Sequence, residues 1–139
     1  SEYGRAYQPS EMAAIAAFCQ ARGLPLHVDG ARFGNAVAFL GCTPWEACQG
    51  AAALSFGMIK NGGMTAEAVV LFDLSLANDL RFRRKRAGQM PSKGRFQAAQ
   101  LLAMIESGAV VRVVLVAPGE PVEQQLDPLA TLVPTTRSS

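Results

Sequence analysis

The chain contains few of the residues that build metal sites and disulfide frameworks. Among its 139 residues there are three cysteines and one histidine. Cys19, Cys42 and Cys48 form no C-x-x-C pair, and an odd number of cysteines argues against a disulfide framework. The sequence also lacks metal-ligand spacing, a phosphate-binding P-loop and a G-x-S-x-G elbow. We therefore expect no metal ion, and reduced thiols of the kind found in the cytoplasm.

Charge and long apolar runs are also scarce. Charged residues make up 17% of the chain and the net charge is only +2, which gives no overall case for nucleic-acid binding. Charges or glycines interrupt every apolar stretch before it reaches the length of a membrane span, so we expect no membrane partner. Half of the residues are hydrophobic, and a chain of this length can form one domain with a buried core.

Apolar runs and helix signals alternate along the chain. The runs 24–28, 52–56 and 68–72 predict three short buried strands. Helices are expected from residue 9 to Gly23, over 33–40, from Pro44 onward, over 74–86 and over 94–107. Apolar faces are predicted for the first helix (Met12, Ile15, Ala16, Cys19) and the last (Ala98, Leu101, Leu102, Ile105). The alternation predicts an α/β fold with a mainly parallel sheet and flanking helices.

Two short motifs follow the first two predicted strands. Residues 27–32 read HVDGAR and place Asp29 at a strand end, and residues 55–63 read SFGMIKNGG and place Lys60 in a glycine-rich turn. An acid and a lysine at neighbouring strand ends are what a pyridoxal 5'-phosphate (PLP) site requires: the lysine binds the cofactor covalently and the acid pairs with its ring nitrogen. The simpler interpretations are an Asp-Gly turn and a surface lysine.

These motifs and their flanks resemble the low-specificity L-threonine aldolases, which belong to the β-eliminating lyase group of fold type I PLP enzymes. The resemblance covers roughly residues 1–108. The matching positions, in order, are Glu2 to Gly4, Tyr7, His27 to Phe33, Asn35, Ala36, Ser55 to Gly57, Lys60 to Gly62, Glu67, Asp73, Lys85, Gly88, Gln89, Ser92, Lys93, Arg95 and Phe96.

The resemblance implies a domain organisation. Residues 1–108 correspond to part of the PLP-binding large domain of an aspartate aminotransferase-like enzyme, so we expect a partial chain with further parts of the site outside it. We recognise no resemblance to the family in residues 109–139. We interpret them as a divergent tail, produced by a frameshift or by ordinary divergence at the terminus.

The resemblance also implies roles for individual residues. Lys60 would bind PLP covalently, Asp29 would pair with the ring nitrogen, and Arg32 would bind the substrate carboxylate in bidentate fashion. Lys85 and Arg95 would lie near a subunit interface and help to balance the cofactor phosphate of a neighbouring subunit. Without the resemblance, Arg32 is a helix-face arginine, and the basic segment with Lys85 is a solvated helix face or a nucleic-acid patch.

His27 lies two residues before Asp29, and therefore on the same face of a strand. It would support Asp29 without touching the cofactor itself, or it is a buried histidine whose hydrogen bonds are made elsewhere, which is the interpretation we favour here.

By the resemblance, the function is PLP-dependent cleavage of L-threonine or L-allo-threonine to glycine and acetaldehyde. Two alternatives stay open. One is another fold type I PLP lyase, and the other is a catalytically inactive remnant or interaction module that keeps the fold. The family implies a small-molecule amino acid substrate, a homodimer or homotetramer, and a cytoplasmic location.

Overall fold

The computed structural model describes residues 4–65 and 67–108. Five α-helices are present there: α1 (Pro9–Gln20), α2 (Phe33–Leu40), α3 (Pro44–Ala47), α4 (Leu80–Arg86) and α5 (Gly94–Glu106). Three strands accompany them: β1 (His27–Gly30), β2 (Ala53–Gly57) and β3 (Glu67–Leu71). Short 3-10 helices span Ile59–Asn61 and Leu74–Ala77. The predicted α/β class is confirmed, whereas the predicted tail at 109–139 lies outside the described residues.

The sheet is mixed, with strand order β1-β2-β3. The β1–β2 pair is parallel, as predicted, but β3 runs antiparallel to β2, so the prediction of a mainly parallel sheet does not hold for the described strands. The connections explain the difference. Helices α2 and α3 provide the crossover between β1 and β2, whereas the short connection from β2 to β3 holds, in its described residues 58–65, one turn of 3-10 helix. A parallel pair needs a crossover of a dozen or more residues.

The first strand begins later than the apolar run predicts. The backbone N–H of Leu24 donates to the Cys19 carbonyl at 3.0 Å and closes the end of α1, and Pro25 has no N–H to donate. Pairing with β2 therefore starts at Leu26, whose carbonyl accepts from Ala52 at 2.7 Å. As a result, β1 includes Asp29 instead of ending before it.

The core lies on one face of the sheet, under α2 and α3. Its buried residues are Phe33, Val37, Ala47, Cys48, Ala51 and Leu54. Side chains alternate between the two faces of a strand, so Val28, Leu54 and Phe56 point toward these helices. The rings of Phe33 and Phe56 pack edge to face with centroids 6.0 Å apart. The opposite face carries His27, Asp29 and Ser55.

The first and third helices agree with their sequence signals. On α1, Met12 is buried and Ile15, Ala16 and Cys19 are half-buried, which confirms the predicted face. Helix α3 begins with Pro44 at its first position and a capping box. In this box, Glu46 N donates to Thr43 Oγ1 at 3.2 Å and Thr43 N donates to Glu46 Oε2 at 2.8 Å.

The last third of the described chain differs from its prediction in two respects. The helix predicted over 74–86 is divided into the 3-10 helix Leu74–Ala77 and α4, with Asn78 and Asp79 between them. Such short polar side chains favour helix ends over helix interiors. On α5, the half-buried positions include Gln97, Gln100, Leu101 and Met104, so the predicted apolar face is mostly exposed. The two glutamines bond to Thr65 and Met64, and so lie on the more covered face of the helix.

No helix within the described residues combines the length and the apolar character that crossing a bilayer demands.

Candidate active site

Asp29 lies near the carboxyl end of β1, opposite Ser55 of β2, on the face of the sheet away from the core. Its side chain is exposed, and Oδ1 accepts the backbone N–H of Ala31 at 3.0 Å. This is the turn that an Asp-Gly sequence favours. The second carboxylate oxygen makes no hydrogen bond within the described residues, so it is available to a ligand.

Lys60 lies in the 3-10 turn that directly follows β2. The turn is anchored by Met58, which is fully buried and whose carbonyl accepts from Asn61 N at 3.0 Å and Gly63 N at 2.9 Å. Gly62 ends the turn with φ of 92°, a conformation that glycine adopts most readily. The buried anchor and the tight turn fix the backbone beneath Lys60, whose side chain is exposed.

The structure brings the Asp29 and Lys60 segments to the same edge of the sheet. Because β1 and β2 are parallel, their carboxyl ends meet there. The two segments are also in direct contact where the strands end: a Cβ atom added to Gly57 would lie 2.8 Å from Ala31 Cα. Only glycine allows this approach. The predicted arrangement of an acid and a lysine at neighbouring strand ends therefore agrees with the backbone, although the roles of both residues remain predictions.

His27 is exposed and bonds to Ser55, with 2.8 Å between Nε2 and Oγ. The interpretation of His27 as a buried histidine is therefore wrong, because the residue is exposed. Its side chain does have a hydrogen-bond partner, as that interpretation also required. That partner is Ser55 on the neighbouring strand, not Asp29 on its own strand. Ser55 was not among the predicted site residues, because the sequence contains no signal for the register of two parallel strands. Its place in the SFG motif was the only pointer to it.

Arg32 is the N-cap residue of α2 and follows Asp29 by three residues, at the same edge of the sheet. Its side chain is exposed and forms no ion pair within the described part of the chain. An unpaired guanidinium at the edge of the sheet where the Asp29 and Lys60 segments meet suits the binding of an anionic ligand group. Its assignment to the substrate carboxylate stays a prediction.

Lys85 and Arg95 lie on α4 and at the start of α5, both exposed. The guanidinium carbon of Arg95 is 4.7 Å from the centroid of the neighbouring Phe96 ring. Among residues 4–65 and 67–108, no hydrogen bond or ion pair joins Lys85 or Arg95 to the Asp29 and Lys60 segments. Helix α5 does contact the loop after Lys60, where Met64 N donates to Gln100 Oε1 at 3.0 Å.

Three ionisable groups have pKa values displaced by local hydrogen bonds or by burial. The hydrogen bonds of Ser75 lower the pKa of Asp73, which caps the 3-10 helix Leu74–Ala77, and those of Thr43 lower the pKa of Glu46. Burial raises the pKa of the Cys48 thiol, which donates to the Pro44 carbonyl at 3.1 Å. Asp73 is one of the positions that resemble the aldolases, and in the structure its side chain accepts the backbone N–H of Ser75.

Within the described ranges, no three His, Cys, Asp or Glu side chains gather in a way that would hold a metal ion.

Comparison with known proteins identifies the family. The family model for beta-eliminating lyases matches residues 1–132, and so extends past residue 108, where the resemblance seen in the sequence ended. A low specificity L-threonine aldolase from Pseudomonas sp. (strain NCIMB 10558) is 48% identical over 116 residues, which cover 81% of this chain and 33% of that protein. The protein of the same name from Pseudomonas aeruginosa is 47% identical over 116 residues, with the same shares of each chain. The chain thus spans about a third of the length of the curated relatives it matches. It belongs to the beta-eliminating lyase family.

Proposed function

We propose that this chain is the part of a PLP-dependent threonine aldolase that supplies the cofactor lysine and the acid for the ring nitrogen. The proposed reaction is cleavage of L-threonine or L-allo-threonine to glycine and acetaldehyde. One observation carries the proposal: Asp29, near the end of β1, and Lys60, just after the parallel neighbour β2, lie at one edge of the sheet, where Gly57 lets the two segments touch. The two relatives carry the name of this activity, which supports the choice of reaction.

The side chains at this edge fit the cofactor chemically. Lys60 provides an exposed primary amine on a fixed turn, which suits covalent attachment of an aldehyde. Asp29 provides a carboxylate with one oxygen bonded to Ala31 N and the other open, which suits a protonated ring nitrogen. Bound there, PLP would supply an electron sink for the electrons released at the α-carbon of the amino acid.

The remaining roles follow from the same edge of the sheet. Arg32 would hold the α-carboxylate of the amino acid by two parallel hydrogen bonds, and so orient the bond to be broken. The carboxylate of Asp29 would hold the proton of the ring nitrogen. Lys85 and Arg95 would balance the phosphate of a cofactor bound to a second subunit.

The proposal extends to fold and assembly. The described residues would form part of the large domain of a fold type I PLP enzyme, within a homodimer or homotetramer whose further strands extend the sheet in parallel. The β1–β2 pair with its helical crossover supports the fold. The free thiols Cys19, Cys42 and Cys48 support a reducing compartment, and we propose the cytoplasm.

The test is covalent labelling with PLP. The purified chain is mixed with PLP, examined for a visible absorption band, reduced with borohydride to make attachment to lysine permanent, and mapped by mass spectrometry. Lysines occur at 60, 85 and 93, so the map is simple. We expect label on Lys60, its loss in Lys60→Arg and its retention in the control Lys93→Arg. Absence of a band, or label spread over all three lysines, would contradict the proposal.

A second assay separates the alternatives. If Lys60 is labelled, the chain is incubated with L-threonine and L-allo-threonine, and glycine and acetaldehyde are measured. Formation of ammonia and a keto acid would instead indicate another PLP lyase. Labelling without any product would indicate a protein that keeps the cofactor site without the activity.

A further inference from the structure

Ser55 and His27 form a side-chain hydrogen bond across the parallel strands, beside Asp29. Ser55 lies directly opposite Asp29 in the register of the sheet, yet its hydroxyl points back to His27 Nε2 at 2.8 Å. All three side chains belong to the face of the sheet away from the core. We propose, building on the proposed function, that Ser55 is a positioning residue: its hydroxyl holds the imidazole of His27 against β2 and thereby keeps it off the carboxylate of Asp29.

The surroundings of the pair assign the direction of the hydrogen bond. Ser55 is half-buried, and within the described residues its hydroxyl has no other acceptor than His27. If His27 Nε2 carried the proton, the hydroxyl hydrogen would lack an acceptor there, which is costly for a partly buried group. If Ser55 donates, the exposed imidazole keeps its proton on Nδ1 and can give it to water. We therefore assign the Nδ1-protonated tautomer, in which Ser55 Oγ donates to His27 Nε2.

Without this bond, the imidazole has another partner within reach. His27 and Asp29 are two residues apart on one strand, so their side chains leave the same face about 6.6 Å apart. A released imidazole can turn along the strand and donate to the open oxygen of Asp29. That contact would occupy the carboxylate oxygen that the proposed function reserves for the ring nitrogen. Ser55 would thus act on cofactor binding through His27 without touching the cofactor.

Because His27 is the one histidine in the chain, its imidazole nitrogens can be observed by NMR without assignment. The tautomer is measured in the cofactor-free protein, and the Kd is measured for pyridoxine 5'-phosphate, which lacks the aldehyde and cannot attach to Lys60. We expect Ser55→Ala to remove the signature of the Nδ1-protonated form and to raise the Kd about 2- to 10-fold. Ser55→Thr keeps the hydroxyl and should restore both. The control Ser10→Ala, at an exposed position on α1, should change neither.

An unchanged tautomer in Ser55→Ala would overturn the proposal, and so would a changed tautomer with an unchanged Kd. Failure of Ser55→Thr to restore the Kd would overturn it as well, since a hydroxyl would then not be the cause. If the wild-type chain shows the Nδ1 tautomer but binds no pyridoxine 5'-phosphate, the proposed function fails and the positioning role fails with it. An absent Nδ1 tautomer in a chain that binds the ligand rejects the role of Ser55 alone.

Discussion

The segment up to Gly63 and the segment that holds α4 and α5 are stabilised in different ways. The core cluster lies entirely in the first segment, under α2 and α3. By contrast, α4 and α5 contain no buried residue, and exposed apolar side chains there include Phe82, Phe96, Leu102 and Ile105. Asp29 and Lys60 are therefore positioned by packing within the first segment.

The two segments also differ in how they use charge. Helix α4 has the sequence LRFRRKR, with five basic residues in seven, and its ion pair between Arg83 and Asp79 is 4.0 Å long and exposed. Such a pair contributes little to stability. In the first segment, carboxylates accept backbone N–H groups: Glu46 accepts from Thr43 at the start of α3, and Asp29 accepts from Ala31 in the turn after β1. Charge there fixes local structure, whereas on α4 it mainly solvates the helix.

The largest expected effect tests the core directly. Leu54 is 4% exposed and lies in the core cluster, so Leu54→Ala should lower the free energy of unfolding by about 2–5 kcal/mol. The matched variant Leu102→Ala on α5 truncates a leucine that is 54% exposed, and should change it by less than about 0.5 kcal/mol. Both changes in the free energy of unfolding are measured by urea unfolding. The signal is the fluorescence of Trp45, whose ring packs against Phe72 in the folded protein. Equal losses would remove the distinction between the two segments.

A somewhat smaller effect is expected where the two site segments touch. In Gly57→Ala the new Cβ would meet the backbone of Ala31, which cannot move away as a flexible side chain would. We expect a loss of about 1–3 kcal/mol in the free energy of unfolding, together with weaker PLP labelling of Lys60. The matched variant Gly94→Ala adds a Cβ that meets only Pro91 at 3.8 Å, at the start of α5, and should be neutral or slightly stabilising. If Gly57→Ala is as stable as Gly94→Ala, the close approach has no energetic importance.

Much of the first segment could be predicted because its signals are local. The Thr43-Pro44 cap, the buried positions of α1 and the glycine turn around Lys60 follow from neighbouring residues, and the structure has each of them. The resemblance to the aldolases agrees with the family match. These features depend on helical periodicity, capping and turn chemistry, which act over a few residues.

Features that depend on contacts between distant segments could not be predicted. The His27–Ser55 bond requires the register of β1 and β2, and the direction of β3 follows from the short connection after β2. On α5 the apolar pattern predicted a face with Leu102 and Ile105, whereas the half-buried face carries Gln97 and Gln100, which bond to Thr65 and Met64. Helix propensity and periodicity are local and give way to such contacts.

The contribution of the Glu46 carboxylate to stability can be tested by varying the pH. The pKa of Glu46 is lowered in the folded protein by its hydrogen bonds to Thr43. A carboxyl with a lowered folded pKa stabilises the fold above its ordinary pKa, and this contribution is lost as the pH falls through the lowered value. Glu46→Gln should therefore have a lower Tm than wild type at about pH 6, and the difference should shrink toward about pH 3. The control is Glu106→Gln at the end of α5, where no capping box is present. A constant difference for Glu46→Gln would contradict the capping argument.

The smallest expected effect concerns the attachment of α5 to the loop after Lys60. Gln100 accepts from Met64 N at 3.0 Å and Gln97 donates to Thr65 at 3.1 Å, and both hydrogen bonds are exposed to solvent. In Gln100→Ala we expect the backbone amides of α5 to exchange hydrogen faster, because the free energy of local opening falls by about 0.5–1.5 kcal/mol. The exchange of the β2 amides should stay unchanged. The control Gln20→Ala, at the end of α1, should leave α5 unchanged. Because α5 buries no residue of its own, losing this bond should loosen the helix without opening the core. Faster exchange in β2 as well would mean that the two segments unfold as one cooperative unit, and the site would then depend on α5 after all.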